Sequence, residues 1–158
     1  MDNFARMMQL ADEVFAVHDD PTQLQVDQDV LEQLQRLHPA SVGQQADANG
    51  PVAWVLLIPT TKALMEDFLA GTLTEQELYE RTPVGAVYEA VYLCSAMVLE
   101  EYRRTGLAKR MTLEAIERMR RDHPIQTLFC WPFTPGGDAL AEVVAQETRL
   151  PLRLRARQ

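Results

Sequence analysis

Four cations stand within eight residues of this chain, Arg103, Arg104, Lys109 and Arg110, with no acid among them. They surround Gly106 and Ala108 in the run Val98-Leu99-Glu100-Glu101-Tyr102-Arg103-Arg104-Thr105-Gly106-Leu107-Ala108-Lys109-Arg110. A glycine lets the backbone approach a ligand closely. A small residue just after it leaves the first turn of a helix open, where unpaired N–H groups and the positive end of the helix dipole face outward. A diphosphate is the ligand such a turn suits. The same residues also read as an ordinary strand-to-helix turn with a solvated basic face.

Positioning this turn requires a strand before it and a helix after it. Val87 to Leu99 is apolar and strand-like, and Leu107 to Met119 repeats apolar residues at helical spacing. Asp122-His123-Pro124 breaks that helix, and Ile125 to Phe133 reads as a further strand, which a βαβ crossover places parallel to the first. Upstream, residues 3–17 form one amphipathic helix, ended by His18-Asp19-Asp20-Pro21, and a second starts near Asp27 and stops at Pro39. Ser41 to Ala46, a turn at Asp47-Ala48-Asn49-Gly50, and Val52 to Ile58 make a hairpin whose second strand is buried on both faces. Two short helices follow, opened by Thr60 or Thr61 and by the capping box Thr74-Glu75-Gln76-Glu77. This 60–82 helical insertion forms a lid or one wall of an acceptor pocket, or pads the core, and padding is the simpler role. Gly136-Gly137-Asp138 starts a last helix, and the alternating tail from Leu150 to Arg157 reads as an edge strand with a basic outer face.

Arg103, Gly106 and Ala108, approached by Val98-x-x-Glu101-Tyr102, fit the Gln/Arg-x-x-Gly-x-Gly/Ala signature. On these residues the chain resembles the GNAT superfamily of acyl-CoA-dependent N-acetyltransferases. The resemblance implies an α/β fold, a GNAT-like mixed central sheet with helices on both faces, and an enzyme that moves an acetyl (acyl) group from acetyl-CoA to a primary amine. It implies that Arg103, Arg104, Thr105, Gly106, Leu107, Ala108 and Lys109 surround the pyrophosphate, mostly through backbone amides. Val98 and Leu99 then meet the pantetheine arm, and a backbone N–H near Val98 serves the oxyanion. The partners implied are acyl-CoA and an amine acceptor, a small molecule or a peptide; a homodimer is left open.

The resemblance covers roughly residues 47–59 and 84–133 and departs beyond. The family's proton-transfer glutamate falls at Tyr92, which can relay a proton through water, although a phenol near pKa ~10 is a poor base unless perturbed. Glu89, on the opposite face of an ideal strand, serves if a bulge shifts the register. Read by themselves, Tyr92 is a core-lining residue and Glu89 a solvated one. Ala145 stands where the family's last helix usually has a tyrosine, Arg149 replaces a glycine, and the usual asparagine is missing near Trp131-Pro132-Phe133-Thr134-Pro135. The alternative is therefore a non-catalytic GNAT-like domain that binds acyl-CoA or a protein partner.

The bulk properties narrow the field. A chain of 158 residues, 47% hydrophobic and 24% charged, is most simply one domain, 1–158, of an ordinary soluble globule. Its net charge of −8 argues against non-specific nucleic-acid binding. The apolar runs are too short for a membrane span and the N-terminus has no export signal, so a cytoplasmic protein with buried free thiols at Cys94 and Cys130 is expected. His18, His38 and His123 each sit beside a helix-terminating segment with no spaced partner, so no metal site is expected.

Overall fold

The sheet is built outward from its most apolar strand. In the computed structural model, which describes residues 2–14, 28–131 and 135–155, β1 (Val42–Asp47) and β2 (Gly50–Thr60) form an antiparallel hairpin. Gly50 has φ +117° at the turn, a conformation few residues but glycine adopt. The Asp47 carboxylate closes it by accepting the Asn49 N–H at 2.8 Å. β2 pairs with β3 (Ala90–Val98) antiparallel, β3 with β4 (Thr127–Cys130) parallel, and β4 with β5 (Leu152–Leu154) parallel. The strand order is β1-β2-β3-β4-β5. Two helical crossovers, α5 (Leu107–Asp122) and α6 (Pro135–Thr148), make the last two pairings parallel.

Helices cover both faces. Val55 of β2 and Met111 of α5 lie against Gly43, whereas Ile58, on the opposite pleat, is paired with Tyr92. Tyr92 packs on Phe68 of α3 (Lys62–Leu69) at 5.0 Å between ring centroids. Thus α5 and α3 lie on opposite sides of the sheet. On the α3 side, α1 (Asn3–Val14) sets Phe4 edge-on against Trp54, and α4 (Glu75–Arg81) buries Leu78. α2 (Gln28–Leu37) adds Val30, Leu34 and Leu37 to the core. Burial on both faces is why β2 carries no polar alternation. Among the described residues, no helix is long and apolar enough to cross a membrane.

The expected mixed α/β architecture is present, with shorter strands than the apolar runs suggested. The strand expected from Val87 begins at Ala90, and Val87 is 64% exposed. The reason lies in Tyr88, whose N–H donates to His123 Nδ1 at 3.4 Å instead of joining a ladder, and whose hydroxyl donates to the Pro83 carbonyl. Ile125 likewise gives its N–H to the His123 carbonyl, so β4 starts at Thr127. Residues 132–133 of that expected strand, the 15–21 helix end and tail residues 156–157 lie outside the described residues. The 60–82 insertion is two helices, capped by Thr61 and by the Thr74–Glu77 capping box, and the Thr60 and Thr82 hydroxyls join its ends at 2.8 Å. β5 lies at the sheet edge, as the tail's alternation implied, but Arg155 just beyond it is buried.

The fold also brings together two histidines that the sequence leaves far apart. His38 accepts the Ala40 N–H at Nδ1, which leaves its proton on Nε2 for Asp122 at 2.7 Å. His123 stands edge-on to His38 at 5.9 Å and against Tyr88 at 4.7 Å. Burial, then the neighbouring His38, hold the His123 imidazole below its ordinary value of 6.5, opposed by Asp122. The unfolded chain therefore binds the proton more readily than the folded one, and folding stability falls as the pH drops through about 6.5. The loss levels off once the pH lies below the folded value. Urea unfolding midpoints compared at pH 7.5 and 5.5 check this, and His123→Gln flattens that window. The carboxylates held low act in a separate, more acidic window: the Arg6 guanidinium and a backbone N–H bring Glu101 to about 2, so its contribution is lost only below about 4.5.

Candidate functional site

Strands β3 and β4 separate like the tines of a fork. Ala90, Val91 and Tyr92 pair with Thr127, Leu128 and Phe129, and there the shared ladder ends. From Leu93 to Val98, β3 keeps β2 on one side, and among the described residues no strand pairs with it on the other. That strip is about 17 Å long at roughly 3.3 Å per residue. A bulge lies at its start, because Leu57 pairs with Leu93 and Leu56 with Ser95, leaving Cys94 unmatched. Cys94 and Cys130 are both buried and form no disulfide among the described residues, and burial pushes the Cys94 thiol well above its ordinary value.

At the far end of the strip the basic turn is anchored by apolar contacts on both sides. Leu99 and Leu107 are buried in a small cluster with Met7, Val52, Ala53 and Met97. A single 3-10 turn, Glu100–Tyr102, follows Leu99. Arg6 grips the Glu101 carboxylate through two hydrogen bonds of 2.8 and 2.6 Å, and Tyr102 donates its hydroxyl to Asp47 at 2.7 Å. Thr105 folds its hydroxyl onto the Tyr102 carbonyl at 2.6 Å. The turn is thereby held on its acidic side while its basic side faces outward.

The backbone of the turn is unusual in the way a cradle requires. Arg104 has φ +65° and Gly106 φ +79°, so two left-handed residues stand in three. A left-handed arginine is uncommon, and such outliers concentrate at functional sites. Gly106 is the N-cap of α5 and supplies no side-chain cap to the helix. A Cβ built on Gly106 meets nothing within 4 Å, so the start of α5 borders open space at that residue. The residues present thus fit an anionic group at the N–H groups of Leu107, Ala108 and Lys109.

The other residues expected at the site are placed as follows. Arg103 folds back, its Nε–H donating to the Val98 carbonyl at 3.0 Å. Lys109 pairs with Glu147 of α6 at 2.8 Å, and Arg104 and Arg110 are exposed. The Leu99 N–H is held by the Val52 carbonyl at 2.9 Å, so Leu99 offers an apolar anchor and no free amide. Val98 lies at the turn end of the strip, away from the fork apex.

The two proton-transfer candidates fare differently from each other. Tyr92 is fully buried at the fork apex and donates its hydroxyl to Glu75 Oε2 at 2.5 Å. Burial first, then the Glu75 carboxylate, push the Tyr92 phenol well above its ordinary range, which is unsuited to taking a proton near neutrality. Glu89 lies before the first β3–β4 pair, with its N–H on the Thr60 carbonyl and its carbonyl accepting from Gln126. It is about 30 Å along the strand from Val98 and roughly 10 Å short of the apex. The bulge does not bring it nearer, because it falls at Cys94, on the far side of Tyr92. Ala145, at the position of the family's tyrosine, is buried in the core.

Two features at the apex escaped sequence reasoning. Glu75, the first residue of α4, is only 2% exposed, whereas the sequence names it only as part of the Thr74–Glu77 capping box. Arg155 lies over the rings of Phe68 and Trp131, 4.6 and 4.4 Å from their centroids, and donates to the Leu73 carbonyl at 3.1 Å. The alternation of the tail assigned Arg155 to solvent. Only the side-by-side placement of β4, β5 and α3 reveals its partners. Among the described residues, no group of three or more His, Cys, Asp or Glu side chains is arranged to hold a metal ion.

Fold and site together describe an α/β domain with a forked mixed sheet, whose β3 edge, unpaired among the described residues, leads to a helix N-terminus without a side-chain cap. No protein-family model matches the chain, and no curated protein matches it.

Proposed function

We propose that this protein is a cytoplasmic N-acetyltransferase of the GNAT kind, transferring an acetyl (acyl) group from acetyl-CoA to a primary amine. The observation that carries the reading is the continuity of the unpaired β3 edge with the Gly106-opened N-terminus of α5. The backbone amides of Leu107, Ala108 and Lys109 receive the diphosphate, with Thr105 and Arg104 beside them. The free edge from Val98 towards Leu93 offers backbone groups to the amide-bearing arm of the cosubstrate. The bound thioester supplies the activated acyl carbon. Its reactive end then points down the strip towards the bulge at Cys94 rather than staying at Val98. An acidic surface is compatible with a cationic acceptor.

A second reading is a domain that binds acyl-CoA, or a protein partner, without turnover. It is favoured by the burial of Tyr92, the remoteness of Glu89 and the absence of a hydroxyl at Ala145. Calorimetry with acetyl-CoA followed by a thiol-release assay separates the two. The acceptor panel comprises spermidine, free amino acids, an aminoglycoside and short peptides. The enzyme reading expects saturable binding and release that depends on one class of amine. Binding without release on any acceptor selects the second reading, and no binding at all rejects both acyl-CoA readings.

A further inference from the structure

Resting on the acetyl-transfer reading, we propose that Glu75 takes the proton of the attacking amine, with Tyr92 as its positioning residue. Tyr92 is the last residue of β3 paired with β4, and its hydroxyl holds Glu75 Oε2 at 2.5 Å. The charge of Glu75 also acts on the thiol of Cys94, the unmatched bulge residue where the unpaired strip begins. The carboxylate therefore sits at the fork apex, on the face that α3 and α4 cover. Among the described residues, Tyr92 and Cys94 of β3 act with it at the apex, Cys130 of β4 acts on Tyr92, and the Arg155 guanidinium is held at the Leu73 carbonyl.

Packing alone does not account for this carboxylate. Met65, Phe68, Leu73 and Leu78 already supply the apolar contacts of the insertion, and removing a carboxylate from water is costly. Strongly perturbed ionisable groups cluster at functional sites. The amine N–H bond breaks and its proton goes to Glu75, while the nitrogen lone pair forms a bond to the acyl carbon. The C–S bond then breaks with its electron pair leaving on sulfur. The proton on Glu75 is then handed to that thiolate, giving an amide and a free thiol.

The test uses the full chain, acetyl-CoA and whichever amine of the panel releases thiol fastest. Glu75→Gln keeps an acceptor for the Tyr92 hydroxyl, so the fold and the acetyl-CoA affinity are expected to stay unchanged. Its kcat is expected to fall roughly a hundred- to ten-thousand-fold, and Glu75→Asp to recover part of the loss. Tyr92→Phe removes a hydrogen bond to the charged carboxylate, which moves the acid limb of the kcat–pH profile to higher pH. A merely structural role would lower kcat in both variants without moving that limb. A Glu75→Gln rate within about threefold of the parent overturns the assignment while leaving the acetyl-CoA site standing, since general acid–base catalysis is worth far more. A Tyr92→Phe profile that superimposes on the parent overturns it as well. Acetyl-CoA binding by the parent without release on any amine defeats the transfer reading and this assignment together. Should Glu75→Gln fail to fold by circular dichroism, the Tyr92→Phe profile decides the matter.

Discussion

Gly106→Glu is expected to abolish acetyl-CoA binding in calorimetry while leaving the circular dichroism spectrum intact. The substitution does two separable things. It forces an L-residue to hold φ +79°, which costs roughly 1–2 kcal/mol and lowers the melting temperature by several degrees. It also sets a carboxylate at the N-cap of α5, in the open space beside Gly106, where it would repel a diphosphate at the first-turn amides. Like-charge juxtaposition costs several kcal/mol, so an affinity loss of roughly a hundredfold or more is expected. Gly106→Asn tolerates the left-handed conformation and adds no charge, and is expected to lose much less affinity. An unchanged affinity in Gly106→Glu would rule out the site.

The largest effect on stability is expected from Phe68→Ala, at about 3–5 kcal/mol. Phe68 is fully buried and is the hub of an aromatic group, edge-on to Tyr92, Phe129 and Trp131 at 5.0, 5.8 and 6.2 Å. Truncation leaves a cavity at the fork apex and removes one of the two rings beneath the Arg155 guanidinium. A buried guanidinium deprived of its packing adds to the cost, which places this variant towards the upper part of the range. Phe68→Leu keeps much of the volume and should cost clearly less. Denaturant unfolding monitored by Trp fluorescence provides the measurement. A loss below about 1 kcal/mol would mean that the α3–α4 layer does not seal the sheet as described.

These two variants probe parts of the molecule that were unequally visible in the sequence. The strand, turn and helix from Ala90 to Asp122 could be read because each signal is local: an apolar run, a glycine with a small residue after it, and apolar residues at helical spacing. The hairpin at Asn49-Gly50 and the capping box at Thr74 were legible for the same reason, since turn and cap chemistry act within four residues. Strand limits were less legible, because Tyr88 and Ile125 give their amides to His123, a partner placed there only by the folded chain.

What the sequence by itself determined is the order of the elements, the parallel pairing forced by the α5 crossover, and the glycine-opened basic turn. The tertiary structure alone decided where the fork opens, because β4 ends at Cys130 while β3 runs on to Val98. It also decided that Glu89 stands at the wrong end of that fork, and that Glu75, Tyr92 and Cys94 meet at its apex. The physical reason is the range of the interactions. Propensity, capping and periodicity act between neighbours in the chain, whereas burial of a carboxylate or an arginine depends on surfaces brought together from distant segments. Glu75 and Tyr92 are 17 positions apart, and Arg155 reaches Leu73 across 82.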